Sequence, residues 1–447
     1  MKDDNSMDML HGPLLRNIIW LAVPIMLSSI LQQLLNTADI AVAGHFESDL
    51  AMAAIGSNAP VINLFVTLLS GLSIGANVLI ALGIGRRKLD DVRTGVQVSM
   101  SFAVVFGLCM VLLGLWISHP ILSVMGTPED VIELADLYLR IYCLGLPFIM
   151  VYNFGSAILR ADGDSRRPLY CLILACATNL VLDLAFVLVL GWGLAGVAWA
   201  TTIANGLSAV LITAFMVREK GYLHFDCRSF SLERKAVRKI IVIGGPAGLQ
   251  GIVFSLSNII IQAAINSFGS DAVAGVSAAA NFEFLTYYIV NGFVQAAVTF
   301  TSQNYAAGEF ARCRKVFSYS LAAALVFTAA ASALCIWKRY PLLHIFTESE
   351  AVMAYALIRM CIGTTFEFMT ALYEVPGGCL RGMGVSMLPT LETLFGSCLL
   401  RIAFILTVFR ACPDFTLLTA IYPISWAVTG ALVLGTYFWF RKTHFVR

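Results

Sequence analysis

Long apolar runs, separated by short charged or turn-rich segments, follow one another along the whole chain. Each run has at least the ~20 residues that an α-helix needs to cross a bilayer. The pattern predicts twelve helices, several of them long enough to tilt or to extend beyond the hydrocarbon core. Their predicted ranges are 16–44, 50–84, 94–117, 131–158, 168–190, 194–217, 239–267, 272–305, 315–338, 352–379, 388–409 and 415–440.

Composition supports this interpretation. Hydrophobic residues make up 59% of the 447 residues, and charged residues only 13%, whereas an ordinary soluble domain has about 25% charged residues. This composition excludes a soluble globular enzyme, a disordered chain and a protein with a basic nucleic-acid-binding face. The run that begins at Ile18 is too long for a signal peptide, so we expect it to be retained as the first span. The fold class predicted is an all-α integral membrane protein.

The residues that usually carry catalysis or metal binding form no pattern here. The eleven cysteines show no C-x-x-C spacing, and most lie inside apolar runs, so neither a disulfide framework nor a metal cluster is indicated. No nucleophile–base arrangement and no phosphate-binding loop is evident. We therefore predict a protein that is not an enzyme and needs no cofactor.

The basic residues are distributed asymmetrically between the two sets of loops. Of the 29 lysines and arginines, 23 lie at the two termini and in alternate loops, including the long connector 218–238. Because cytoplasmic loops carry the excess of Lys and Arg, both termini are predicted to be cytoplasmic, in a plasma membrane that is most simply a bacterial inner membrane.

The chain contains an internal duplication. A shift of 221 residues carries the motif L-R-x-x-G-x-S-x-x-P at 159–168 onto the same motif at 380–389. A one-residue gap then places Pro24 on Pro246. Since each half holds six spans, the halves share one orientation and predict a pseudo-two-fold axis along the membrane normal. The predicted organisation is an N-terminal lobe 1–217, a cytoplasmic linker 218–238 and a C-terminal lobe 239–447.

Several motifs together resemble one transporter family. The first span contains Asn36-x-x-Asp39, the fifth contains Asn179-x-x-x-Asp183, and the fourth span of each half ends in L-R-x-x-G. With the segment Gly191-x-Gly193-x-x-Gly196, these motifs are similar to those of multidrug and toxic compound extrusion (MATE) transporters over essentially the whole chain. The resemblance implies a twelve-helix antiporter that exports lipophilic, often cationic compounds in exchange for sodium ions or protons.

The resemblance also implies a coupling site. In the N-terminal lobe the family's ion-coupling residues match Asp39, Tyr138, Asn179, Asp183 and Thr202. Some relatives have a further acid in span seven and an aspartate in span ten. Here span seven has no acid, and the aspartate position corresponds to Thr370. The coupling site is therefore expected in the N-terminal lobe alone.

Depth along the helices is consistent with that site. At 1.5 Å per residue, Asp39, Tyr138, Asp183 and Thr202 all lie ~8–12 Å from the outer ends of their spans. Carboxylate and amide oxygens suit a hard cation such as sodium, with Asp39, Asn179 and Asp183 as its ligands. Two carboxyl groups desolvated in one pocket equally favour a proton. The residues leave both ions open.

Other polar residues lie inside spans of the C-terminal half. Glu367 and Arg401 are candidates for a structural ion pair, since either charge alone is costly in a bilayer. Candidates for lining a substrate cavity are Glu283, Asn36, Tyr287 and Phe284. The expected partners are small lipophilic or cationic molecules and membrane lipid, with no nucleic acid, and the protein is expected to be a monomer.

Three other functions account less well for the sequence. A lipid-linked oligosaccharide flippase of the same superfamily is the closest alternative, although such proteins have a more cationic central cavity. A major facilitator transporter would need an aspartate–arginine pair before the basic run Arg86-Arg87-Lys88, which is absent. A channel or receptor would need a pore-loop motif or a soluble domain, and the sequence shows neither.

Overall fold

The computed structural model describes residues 7–47 and 49–445, and the regular structure of these ranges is helical. In the first half of the chain the helices are α1 Leu14–Phe46, α2 Asp49–Gly85, α3 Leu89–Val124, α4 Glu129–Leu144, α5 Leu146–Ala161, α6 Arg166–Leu184 and α7 Gly193–Arg218. In the second half they are α8 Arg234–Asn266, α9 Ser270–Ala306, α10 Phe310–Trp337, α11 Arg339–Leu343, α12 Glu350–Phe366, α13 Ala371–Gly382, α14 Met387–Thr393, α15 Leu400–Phe404 and α16 Phe415–His444.

Irregular helical turns interrupt three of the spans. A π turn at Ala185–Val189 continues α6, and a 3-10 turn at Glu367–Thr370 joins α12 to α13. Two more π turns, Leu394–Leu399 and Ile405–Phe409, flank α15. Such interruptions are frequent at functional sites of helical proteins. Here three of them lie within spans ten and eleven.

The helices satisfy the length and composition of membrane spans. Within the described ranges, eleven are long and apolar enough to cross a membrane, and α4 with α5 makes a twelfth span if the bent pair is counted as one. Large apolar side chains lie on the outside, among them Trp116 at 79% exposed. The prediction of an all-α membrane protein is confirmed.

The predicted fourth span, 131–158, is not one straight helix. It bends by 43° between α4 and α5, at Gly145. Pro147 lies in the first turn of α5. Since proline has no N–H to donate and crowds the residue before it, the break occurs where the sequence runs Gly-Leu-Pro.

The chain forms two compact units, and these do not coincide with its continuous halves. The first unit is built mainly from Leu27–Gly248, and the second from Asp8–Met26 together with the chain from Leu249 onward. The beginning of α1 thus packs in the second unit, and the beginning of α8 in the first. The division of the chain into lobes 1–217 and 239–447, joined by the linker 218–238, remains a prediction.

The beginning of α8 lies unusually close to α2 inside the first unit. A Cβ atom on Gly71 would lie 2.2 Å from the backbone nitrogen of Gly248, and one on Gly75 would lie 2.2 Å from the carbonyl oxygen of Ile240. Gly71 and Gly75, like Gly244 and Gly248, are spaced four residues apart. Small residues at this spacing let the backbones of membrane helices touch, and only glycine fits here.

Candidate functional site

Two aspartates of the first unit are buried close together. Asp39 lies on α1 and is 5% exposed, and Asp183 lies on α6 and is 0% exposed. The two carboxyl groups are near enough to interact electrostatically. Intramembrane acids are rare because a charge there is costly, so the pair is a candidate functional site.

Asp39 is held by two polar side chains. Thr201 Oγ1 on α7 donates to Asp39 Oδ2 at 3.0 Å. Asn179, oriented so that both of its amide atoms are satisfied, donates from Nδ2 to Asp39 Oδ1 at 3.0 Å and accepts from the backbone nitrogen of Thr201 at 3.3 Å. Each oxygen of Asp39 therefore has one donor, which fixes the orientation of the carboxylate.

Asp183 is in a different position. Both of its oxygens are buried and accept no hydrogen bond from a donor among the described residues. A carboxylate without donors, beside a second carboxylate, is stable in an apolar interior only when a cation or a proton joins it. In this pair, two hydrogen bonds therefore fix the Asp39 carboxylate, whereas both oxygens of Asp183 can still accept a cation or a proton.

The local fold explains how these residues meet. Asn179 and Asp183 are four residues apart on α6 and so lie on one face of the helix. After the π turn the chain reverses through Gly191 and Gly193, whose φ angles of 63° and 59° favour glycine. This tight reversal returns α7 alongside α6 and brings Thr201 opposite Asn179.

Tyr138 lies beside the two aspartates. Its ring is 3% exposed, it interacts electrostatically with Asp39 and Asp183, and it stacks on Tyr142 with ring centroids 6.4 Å apart. The tyrosine thus closes the site on the α4 side and keeps it apolar.

Of the five predicted coupling residues, the structure brings Asp39, Tyr138, Asn179 and Asp183 together. Thr202 instead donates from Oγ1 to the carbonyl oxygen of Ile141 at 3.1 Å, where it joins α7 to α4. Its neighbour Thr201 contacts Asp39. Consecutive helical residues point about 100° apart, so only one of the two threonines can face the site, and the sequence alone offers no signal that selects Thr201.

The second unit has a cluster of two arginines and two glutamates in place of an acidic pair. Arg359 Nη2 lies 2.6 Å from Glu283 Oε2, and its guanidinium lies 3.8 Å from the ring centroid of Tyr422. Arg401 lies 4.4 Å from the same ring and donates from Nε to Ser425 Oγ at 2.8 Å.

These contacts replace the expected pair of Glu367 with Arg401. Glu367 is 4% exposed and interacts electrostatically with Glu283, Arg359 and Arg401, but the ion pair in this cluster is that of Glu283 with Arg359. The 221-residue shift that relates the two halves carries Tyr138 onto Arg359 and Thr201 onto Tyr422. The second unit thus has a fixed guanidinium where the first has an open acidic site.

The four candidates for a substrate cavity have different environments. Asn36 belongs to the first unit and is exposed. In the second unit, Phe284 is 48% exposed, Tyr287 is half-buried beside Tyr288, and Glu283 is engaged by Arg359. Phe284 and Asn36 are accessible, and their role in binding remains a prediction.

Comparison with known proteins identifies the architecture. The MatE family model matches the chain twice, at residues 24–185 and 246–407. These two segments are equal in length and begin at Pro24 and Pro246, in agreement with the duplication inferred from the sequence.

Related proteins cover nearly the whole chain. "Probable multidrug resistance protein YoeA" of Bacillus subtilis (strain 168) is 25% identical over 97% of this chain and 95% of its own length. "Probable multidrug resistance protein NorM" of Thermotoga maritima is 26% identical over 85% of this chain and 82% of its own. A crystal structure of MATE in complex with MaL6 superposes with a TM-score of 0.92 at 22% identity and covers 99% of both chains. With the duplicated family match spanning more than half of its residues, the chain belongs to the MatE family, the multidrug and toxic compound extrusion transporters.

Proposed function

We propose that this protein is a secondary active multidrug efflux antiporter, which exports lipophilic, often cationic compounds in exchange for protons or sodium ions. The observation that carries the proposal is the buried pair of Asp39 and Asp183, of which Asp183 has no hydrogen-bond donor. Relatives named as multidrug resistance proteins support the substrate class.

The site suits a small cation that binds and leaves. Sodium would take oxygen ligands from Asp39 and Asp183, because hard cations prefer such oxygens. A rotation of the Asn179 amide, whose nitrogen faces Asp39, would add a third oxygen. A proton would bind one carboxyl group of the pair and remove the repulsion between them. In either case the cation neutralises charge in a desolvated site and stabilises the packing of α1 against α6 and α7.

Coupling follows from this neutralisation. A ligand shifts a conformational equilibrium only by its differential affinity for the two states. The packed arrangement of α1, α6 and α7 is favoured with the cation bound and disfavoured by two unpaired carboxylates. Binding of the cation from outside therefore promotes the state that releases the exported compound, and its release inside resets the transporter by alternating access. The basic loops support an orientation with both termini in the cytoplasm.

The test is transport in proteoliposomes with a fluorescent cationic dye as substrate. A sodium gradient and a proton gradient are imposed in turn on the wild-type protein and on the Asp39→Asn and Asp183→Asn variants. We expect the wild type to export dye with one of the gradients, and each variant to lose gradient-driven export while still eluting as a folded monodisperse protein.

Asp136→Asn is the matched control. Asp136 lies on α4 and its Oδ2 is 2.8 Å from Nε of Arg140; two residues before Tyr138, it points about 160° away from that side chain around the helix. This variant should retain export. Undiminished export by both Asp39→Asn and Asp183→Asn would reject the assigned site, and export by the wild type without either gradient would reject antiport.

A further inference from the structure

A second interaction surface lies where the linker enters α8. Between residues 228 and 239 the chain has five basic residues and a single acid, Glu233, and all five basic side chains are exposed. We call this cluster the basic face; it consists of Arg228, Arg234, Lys235, Arg238 and Lys239.

Within residues 7–47 and 49–445, the basic face has no ion-pair partner. Among the ion pairs of the described residues, none includes one of its five side chains. Other basic loops on the same side have acids beside some of their cations: Arg93 lies 3.9 Å from Asp90, and Arg167 lies 2.8 Å from Asp164.

Helix stability does not explain the cluster. The first turn of α8 contains no acidic residue, although the positive end of a helix dipole favours acids and disfavours Lys and Arg. Arg234 and Lys235 lie in this first turn and are disfavoured by the dipole, and Arg238 and Lys239 in the next turn add to the repulsion among the four cations. An external anion would remove this repulsion.

The arrangement of exposed and buried residues on α8 indicates what kind of anion the basic face would bind. Ala236 and Ile240 are buried against the first unit, and the cations lie on the other side of the helix. One turn further, still on exposed positions, are Ile241 at 46% and Val242 at 55% exposed. Exposed cations are thus followed within ~5 Å of helix rise by exposed apolar side chains.

Along α8, exposed charged side chains are followed by exposed apolar ones, which matches the boundary between lipid headgroups and acyl chains. Clusters of four or more Lys and Arg directly before a membrane span attract anionic lipids. Phe230, at 65% exposed, adds an apolar side chain of the kind that interfacial segments insert into the headgroup region. We propose that the basic face binds the phosphates of anionic phospholipids and so anchors the first unit to the membrane surface. In the proposed orientation this is the cytoplasmic leaflet, but binding itself does not depend on transport.

The test measures equilibrium binding of fluorescent phosphatidylglycerol to the full-length protein in neutral detergent, with phosphatidylcholine as the reference lipid. Each charge near the surface contributes about fivefold in affinity, so we expect the wild type to prefer phosphatidylglycerol at least tenfold. The preference should fall as salt is raised, since exposed charges are screened. A variant with four glutamines should lose it; its substitutions are Arg234→Gln, Lys235→Gln, Arg238→Gln and Lys239→Gln.

The matched control removes four charges from another basic loop and should keep the preference; its substitutions are Arg86→Gln, Arg87→Gln, Lys88→Gln and Arg93→Gln. Should the first variant misfold, the single exposed substitutions Lys235→Gln and Lys239→Gln must each reduce the preference severalfold. Retention of the preference without the basic face would overturn the proposal. Equal competition by inorganic phosphate or by a short RNA would also overturn it, because the surface would then bind anions without regard to lipid.

Discussion

At the scale of single residues, the two adjacent threonines of α7 have different partners, one in the proposed ion site and one in the packing of α7 against α4. Thr201 donates to Asp39, and Thr202 donates to a backbone carbonyl of α4. A hydrogen bond to a charged group contributes about 1.5–3 kcal/mol. Thr201→Val removes a donor that stabilises the free carboxylate, so the coupling cation should bind more tightly. The half-saturating ion concentration for dye export is expected to fall about tenfold or more.

Thr202→Val has the same change in shape and serves as its control. It removes a neutral hydrogen bond, which costs about 1 kcal/mol of stability, and should leave the ion dependence of export unchanged. If Thr202→Val shifted the ion dependence and Thr201→Val did not, the hydroxyl assigned to the site would be the wrong one.

The ion pair of Glu283 with Arg359 gives a second residue-scale prediction. Both side chains are largely buried, and removal of one partner of such a pair leaves a buried unpaired charge that costs about 3–5 kcal/mol. Glu283→Gln and Arg359→Met should each lower the unfolding midpoint in detergent. The double variant should be less destabilised than the sum of the two. Strict additivity in this double-mutant cycle would contradict a direct interaction.

The same residues define what the sequence could predict about the site. Asp39, Asn179 and Asp183 stand out because polar side chains are rare in apolar spans, and their spacing puts two of them on one helix face. The choice of Thr201 over Thr202 depends on the rotation of each helix against its neighbours. So does the ion pair of Glu283 with Arg359, which forms in place of a pair of Glu367 with Arg401. That rotation is set by packing of side chains from distant parts of the chain, which an apolar pattern does not encode.

At the scale of helices, the positions of spans were predictable but their ends and breaks were not. Apolar runs mark where the chain crosses hydrocarbon, whereas backbone hydrogen bonds continue the helix into the interface. The span predicted at 94–117 is α3, Leu89–Val124. The 3-10 turn at Glu367–Thr370 contains no proline or glycine from which it could be predicted. It lies where Glu367 is buried among charged side chains.

The linker that precedes α8 forms a hydrogen bond with Asp162, a half-buried acid whose pKa is raised. Tyr222 Oη donates to Asp162 Oδ1 at 2.5 Å. Burial raises the pKa of Asp162 to about 6; Glu219 and Asp164 add to the rise, and the Tyr222 hydrogen bond and Arg167 oppose it. Since the folded state holds this proton more tightly than the unfolded chain, the stability contributed by Asp162 is full below pH ~4 and declines as the pH rises to 6.

Asp162→Asn removes the cost of ionisation and keeps an oxygen that accepts from Tyr222. We expect this variant to be more stable than the wild type by about 1–3 kcal/mol at pH 7.5, with a difference that shrinks between pH 6 and pH 4. Thermal unfolding of the detergent-solubilised protein across this pH range measures it. Tyr222→Phe should have the opposite effect above pH 6, because the carboxylate loses its donor. A difference between Asp162→Asn and wild type that stayed constant with pH would contradict the raised pKa.

At the scale of the whole molecule, the duplication explains why two similar halves have different chemistry. Helical repeats conserve the crossings of helices, which small residues such as Gly71 and its counterpart Gly292 permit; a Cβ on Gly292 would lie 2.4 Å from Met26 in the second unit. Repeats do not need to conserve polar side chains. The first unit keeps an open acidic pair, and the second has an arginine compensated by its own glutamate.

The asymmetry of basic residues between the loops leads to a prediction about the complete fold. Exposed Cys227 lies in the linker, and exposed Cys412 lies in the loop before α16. Five spans separate them, an odd number, so the two thiols must lie on opposite sides of the membrane. In single-cysteine variants, a membrane-impermeant maleimide should label Cys412 in intact cells and Cys227 only after permeabilisation. Cys379, which is 0% exposed, is the unlabelled control in both cases. Labelling of both thiols from one side would contradict the span count, and the reversed pattern would place both termini outside.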